Sequence, residues 1–178
     1  MVLLAALACS NPPPAPEPGP PPVEEAAVVL LVRHAEKAQD GTPDPPLTEA
    51  GTQRAQCLKQ LLMPTHPQRV LTSQYQRTQA TLAPTAEALA VTPQVIEAGD
   101  EAGWLAALRE AKPGTVTVVA AHSNTVPQLV QALGGTMSDL DEKGNIPDDD
   151  YSRLVYVTLD AQGRATSSVV TNYCVPPT

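Results

Sequence analysis

Two imidazoles and two guanidiniums are spaced through this chain so that one phosphate would suit all four. Arg33-His34 closes the apolar run Val28 to Val32, Arg77 follows the shorter run Arg69 to Thr72, and His122 closes a second apolar run, Thr115 to Ala121. A guanidinium stays charged and offers phosphate oxygens a planar fork, so two of them can hold a dianion without a metal. An imidazole can attack phosphorus, provided it is neutral. Arg33 beside His34 disfavours the imidazolium, whereas an arriving dianion pulls the other way.

These residues are useful only if the chain brings them to one edge. The run Val28 to Val32 is rich in β-branched and aliphatic residues, as expected for a central strand covered on both faces. After a polar, Pro-rich loop from Ala35 to Pro46, Thr48 offers an N-cap with Glu49 in the first turn. The helix predicted from there to about Met63 puts Ala55, Leu58, Leu61 and Leu62 on one face. A short strand Arg69 to Thr72, a helix from about Gln76 to Ala90, and a weak strand Gln94 to Ile96 follow. Pro84 is expected to start or kink that helix, because it lacks an amide donor. Trp104, Leu105 and Leu108 mark a third helix closed by Pro113-Gly114, with Trp104 as its core anchor. A fourth helix is capped at Asn124 or Thr125 and has Pro127 in its first turn. It points Leu129, Val130 and Leu133 inward and stops at Gly134-Gly135. An acidic loop, Asp139 to Asp150, leads to the strand Leu154 to Leu159. A turn at Gln162-Gly163 then suggests a hairpin with Thr166 to Thr171.

Alternating strands and helices predict a three-layer α/β/α sandwich whose sheet is mainly parallel with an antiparallel edge. In such sheets ligands bind beyond the carboxyl ends of the strands, which is where Arg33, His34, Arg77 and His122 fall. There is room for one domain in 178 residues. The expected division is an N-terminal signal-like segment over 1–9, a Pro-rich linker over 10–26 and the catalytic domain over 27–175.

Three separated motifs carry a resemblance to a known family. They are Leu31-Val32-Arg33-His34-Ala35-Glu36-Lys37, continued by Pro46-Leu47-Thr48-Glu49-Ala50-Gly51; Ser73-Gln74-Tyr75-Gln76-Arg77-Thr78; and Ala120-Ala121-His122-Ser123-Asn124-Thr125. In this order the chain resembles the histidine phosphatase superfamily, the phosphoglycerate mutase-like group, over roughly Val28 to Thr171. The Ala-Glu-Lys ending and the short interval between the last two motifs look most like small bacterial members near the phosphohistidine phosphatases. The resemblance implies a phosphoglycerate mutase-like fold and a phosphatase acting on a phosphomonoester or phosphoramidate. It makes His34 the nucleophile that forms a phosphohistidine, with Arg33, Arg77 and His122 holding the transferring group. It implies neither metal nor other cofactor. Larger relatives supply a Glu as general acid after the second motif; here Asp100 and Glu97 are the candidates in that interval, beside Glu101. The competing reading, from a different functional class, is a catalytically silent phosphate-binding module tethered to a membrane.

Composition narrows the partners. A net charge of -8 excludes a nucleic-acid polyanion as the natural partner and leaves a small phosphorylated substrate. The sequence is silent on oligomeric state. Without Phe, and with 3% aromatic residues, the core must be made of Val, Leu and Ala. His66, between Thr65 and Pro67, reads as solvated. Arg77 has Glu87 or Asp100 as structural ion-pair alternatives, and Glu36 and Lys37 either orient the crevice loop or form an exposed pair. The run Asp148-Asp149-Asp150 reads as solvated loop rather than a cation site.

Met1 to Ala8 is a short apolar run that ends at Cys9 and precedes the Pro-rich stretch Pro12 to Pro22. It resembles the end of a bacterial lipoprotein signal, in which Cys9 carries the lipid. That reading makes the domain extracytoplasmic, anchored to a membrane and facing the periplasm, with the cytoplasm as the alternative. Cys57 and Cys174 remain. An oxidising compartment permits them to pair, while Cys57 among Ala55, Leu58 and Leu61 suits a buried free thiol equally well.

Overall fold

In the structure, a computed structural model describing residues 26–174, the apolar runs become neighbouring strands. Six strands and four helices alternate: β1 (Ala27–Arg33), α1 (Glu49–Leu62), β2 (Arg69–Ser73), α2 (Gln76–Leu89), β3 (Gln94–Ile96), α3 (Glu101–Arg109), β4 (Val116–Ala121), α4 (Thr125–Ala132), β5 (Arg153–Leu159) and β6 (Ala165–Asn172). They form a single sheet in the order β3-β2-β4-β1-β5-β6. The strands β3, β2, β4 and β1 are parallel, and β5 and β6 add an antiparallel edge. The expected three-layer sandwich is therefore observed. The segments over 1–9 and 10–25, Cys9 among them, lie outside the described residues, as does residue 175.

Strand alternation splits the core into two layers. Val29 and Leu31 of β1, with Val119 and Ala121 of β4, face Trp104, Leu108, Val126, Leu129 and Val130 of α3 and α4. Their neighbours Leu30, Val32, Val118 and Ala120 face Leu58, Leu62, Leu82 and Ala86 of α1 and α2. Successive side chains on a strand point to opposite faces, so a run that is apolar at every position must be covered twice. Trp104 is fully buried and its indole N–H donates to the Glu97 carbonyl, as suits a core anchor.

Two helical details differ from the sequence reading. Leu61 is 41% exposed instead of joining the α1 stripe. Gly51, Ala55, Leu58 and Leu62 are the buried positions, and at 100° per residue Leu61 sits roughly 90° from their centre. Pro84 lies inside α2 rather than starting it. Its missing donor costs the helix one bond, to the carbonyl four residues back. Burial of Thr81, Leu82, Thr85 and Ala86 on either side holds the helix together through that gap.

Cys57 of α1 is not a free thiol. It forms a disulfide with Cys174, just beyond β6, with Cα atoms 6.1 Å apart and a sequence separation of 117. The bridge fastens the last strand to a helix from the first βα unit. A closed loop of this size restricts the unfolded chain by about 4–5 kcal/mol on the chain-entropy account. Titration of denatured, unreduced Cys9→Ser protein should therefore find no free thiol, and two after reduction. The Cys57→Ala, Cys174→Ala double variant should melt on the order of 10 °C lower. Two thiols before reduction would contradict the pairing.

Candidate active site

The site is set by strand register. Arg33 of β1 pairs with Ala121 of β4, so the next residue of each strand is a histidine, and the His34 amide donates to the Ala121 carbonyl at 2.9 Å. The two rings lie 5.5 Å apart between centroids, at 65°. On the other side of β4, β2 ends at Ser73, and α2 begins three residues later with Arg77 in its first turn. Arg33, His34, Lys37, Tyr75, Arg77, His122, Ser123, Asn124, Thr125 and Asp148 line one open crevice of about 440 Å³ together with Ala98 and Gly99. All four sequence-predicted phosphate-binding residues thus share it. The amides of Ser123, Asn124 and Thr125 stand at the start of α4, where helix geometry leaves donors unpaired and an anion is favoured.

The tautomer of the His34 ring is fixed by one contact. Its Nδ1 lies 2.8 Å from the Ala35 carbonyl, which only accepts, so Nδ1 carries the proton of the neutral ring and Nε2 the lone pair. Burial lowers the pKa of His34 to about 3, against the Ala35 hydrogen bond and with help from Arg33, His122 and Arg77. Sequence reasoning credits the arginines with keeping this ring neutral. In the folded protein desolvation contributes more.

The second imidazole is held by a chain of hydroxyls whose direction is forced from its far end. The Thr78 hydroxyl approaches the carbonyls of Tyr75 and Ser73 at 2.8 and 3.1 Å and must donate to them. It therefore accepts from the Ser73 hydroxyl, 2.8 Å away. Ser73 in turn accepts from Nε2 of His122 at 3.0 Å, leaving Nδ1 as the other ring nitrogen. Burial, then Arg77 and Arg33, lower His122 to about 4, with Asp44 opposing. Ser73 and Thr78 stand inside the second motif, yet nothing in their residue types indicates that they orient a histidine 44 or more positions away in sequence.

The arginines have structural duties too. Arg33 is 5% exposed, and one of its terminal nitrogens donates to the carbonyls of Pro147, Asp148 and Asp150 at 2.8, 3.0 and 3.2 Å. Its guanidinium lies 4.2 Å from the centre of the Tyr151 ring, and the Asp148 carboxylate is 3.7 Å from its other terminal nitrogen. Arg77 stacks on Tyr75 at 4.2 Å and pairs with Asp44 at 3.2 Å, not with Glu87 or Asp100. Asp44 also accepts from the Gln76 amide, capping α2 from a distant loop. The Nε atoms of both Arg33 and Arg77 are buried without an acceptor.

Glu36 is not half of a pair with Lys37. It accepts from Arg54 of α1 at 2.7–2.9 Å, and although burial works against the ionised form, those bonds keep its carboxyl below the ordinary range. Arg54 continues to the carbonyls of Tyr173 and Cys174. Gly51 permits this arrangement, since a Cβ there would overlap the Glu36 carbonyl oxygen. The candidate acids do not reach the crevice. Asp100 caps α3 by accepting from the Gly103 amide at 2.9 Å, Glu97 is exposed, and only Ala98 and Gly99 between them line the site. Asp150 pairs with Arg153 at 2.6 Å, and no group of three or more metal-binding side chains occurs among the described residues.

The family model described as histidine phosphatase superfamily (branch 1) matches residues 29–104. The fold likeness extends past this stretch. A structure of the protein histidine phosphatase SixA with tungstate aligns with a TM-score of 0.62 at 23% identity, covering 82% of this chain and 95% of that one. A mycobacterial glucosyl-3-phosphoglycerate phosphatase aligns at 0.54 and 15%, covering 83% and 98%. At these identities the likeness is one of fold. No curated protein sequence matches the chain.

The two depressed histidines make a pH prediction. Between about 6.5 and the folded values of about 3 and 4, the unfolded chain binds protons that folded His34 and His122 refuse. Stability from these groups is therefore fully present above about 6.5 and is lost as pH falls through that window. Ring-proton resonances of both, assigned with His34→Ala and His122→Ala proteins, should keep neutral-form shifts down to pH 5. A midpoint near 6.5 for either would contradict the burial argument.

Proposed function

We propose that this protein is a metal-independent phosphatase that hydrolyses a phosphomonoester or phosphoramidate through a phosphohistidine on His34. The observation that carries the reading is the buried His34 ring, held neutral with its Nδ1 proton on the Ala35 carbonyl and Nε2 free, beside Arg33, Arg77 and His122.

In the first step the Nε2 lone pair attacks phosphorus in line, the P–N bond forms and the bond to the leaving oxygen or nitrogen breaks. Charge spread over the equatorial oxygens is met by the guanidiniums and the start of α4, both in place beforehand. The unpartnered Nε donors of Arg33 and Arg77 gain acceptors when an oxyanion enters. In the second step water attacks phosphorus, the P–N bond breaks, and phosphate leaves with His34 again neutral. Binding a dianion favours protonation of His122, which then donates to the transferring group. With Asp100 occupied as a helix cap and Glu97 outside the crevice, the leaving group receives its proton from solvent. That favours leaving groups whose anions are already stabilised, such as phenols, or an imidazole. The domain is extracytoplasmic, and the Cys57–Cys174 bridge supports this, since such bonds persist in oxidising compartments. Cys9 is its lipid anchor.

With a chelator present, the purified domain should release phosphate from an aryl phosphate. His34→Ala should lower kcat by at least about 10³-fold, the scale of losing a nucleophile, while vanadate binding persists. Activity unchanged in His34→Ala would refute the mechanism. For the anchor, the full chain should fractionate with membranes and Cys9→Ser should not; identical fractionation of the two would exclude lipid on Cys9.

A further inference from the structure

The crevice holds one cation that the phosphoryl chemistry does not use. Lys37 lines it together with Arg33 and Arg77. The Lys37 backbone is pinned there by a bridge to Leu47, followed by the Ala38 amide donating to the Pro46 carbonyl at 2.8 Å. Yet its ammonium has no carboxylate within ion-pair distance among the described residues. Of the carboxylates nearby, Glu36 is committed to Arg54, Asp44 to Arg77 and Asp148 toward Arg33, while Asp40, close enough to feel the Lys37 charge, accepts from the Thr42 amide and hydroxyl and forms no ion pair with it.

Its position relative to the nucleophile is informative. Arg33, His34 and His122 are buried in the wall of the crevice, whereas Lys37 is only partly buried, so its side chain lies nearer the open mouth than the attacking nitrogen does. An in-line displacement leaves the departing group on the side of phosphorus opposite the nucleophile, toward the open mouth.

We propose that Lys37 is a specificity residue that binds a second anionic group, a carboxylate or another phosphate, on the leaving-group portion of the substrate. The proposal rests on the phosphatase reading of the same crevice and adds a substrate class to it: small phosphorylated compounds that remain anionic after the phosphoryl group departs. A compact ammonium on a four-carbon stem suits this task, because it meets anions at variable distances without the fixed geometry of a guanidinium fork. The chain's net charge of -8 makes the contrast sharper. An anion with two charged groups is repelled by most of the surface and retained where Lys37 adds its charge to the two guanidiniums.

The test uses binding, so that it is independent of turnover. Phenylphosphonate and 3-carboxyphenylphosphonate, which cannot be hydrolysed, are titrated calorimetrically into wild type, Lys37→Met and Lys37→Arg, and the corresponding aryl phosphates are assayed for turnover. Wild type should bind the carboxylated compound about tenfold tighter, the scale of one hydrogen bond between charged groups. Lys37→Met should abolish that preference while binding phenylphosphonate within about twofold of wild type, and Lys37→Arg should restore most of it. Equal weakening of both compounds in Lys37→Met would place Lys37 on the phosphoryl group and overturn the proposal, as would a preference that survives the substitution. Turnover without the preference refutes the subsite and leaves the phosphatase standing; the preference without turnover does the reverse.

Discussion

The pairing of β1 with β4 is the constraint on which the site depends. Because the strands are parallel and Arg33 is opposite Ala121, the residue following each emerges at the same edge at the same height. The amide of the first histidine is spent on the carbonyl preceding the second. A slip of one residue in this ladder would turn the apolar faces of β1 toward the wrong helices and carry His34 away from His122. Two fully covered strands resist that slip, since every side chain from Val29 to Val32 already fills a core on one face or the other.

From that edge outward, Arg33 and Arg77 both hold loops and face the crevice, while Arg54 holds loops without lining it. Arg33 gathers the carbonyls of the 147–150 segment, Arg77 fixes Asp44 and through it the start of α2, and Arg54 joins Glu36 to the chain beyond β6. The loops around the site are long and polar, with Ile146 and Leu140 as the apolar anchors of the acidic one. Ion pairs and carbonyl contacts with arginine hold them as well, and these are stronger where partly desolvated than at an open surface. Preorganisation follows: the guanidinium donors are held in place by the protein itself, which is the condition for stabilising charge without reorganisation.

Much of this was readable from the amino acids, and the boundary has physical reasons. The runs at Val28, Thr115 and Leu154 announce strands because complete burial demands unbroken apolarity, and Thr48 does cap α1, accepting from the Gly51 amide. Arg33, His34, Arg77 and His122 could be placed together because strand ends in such a sheet share an edge. What escaped were relations between loops. Nothing about Asp44 in a Pro-rich stretch says that it caps a helix beginning at Gln76, and nothing about Tyr151 says that Arg33 lies over its ring. Asp100 looked like an acid because its side chain is one, whereas its position just before α3 makes it a cap. The exposure of Leu61 was available from helical phase alone. The pairing of Cys57 with Cys174 was not, because spacing along the chain carries no information about a separation in space.

The strand that leads to His34 begins at Ala27, near the start of the described residues, yet it lies in the interior of the sheet with β4 on one side and β5 on the other. Any pull transmitted through the preceding residues therefore runs lengthwise along β1. Such a load is shared by two rows of backbone hydrogen bonds in shear, where an edge strand would peel away from one row a bond at a time. The segment bearing Arg33 and His34 is thus the part of the domain that mechanical force applied at this end would find hardest to extract.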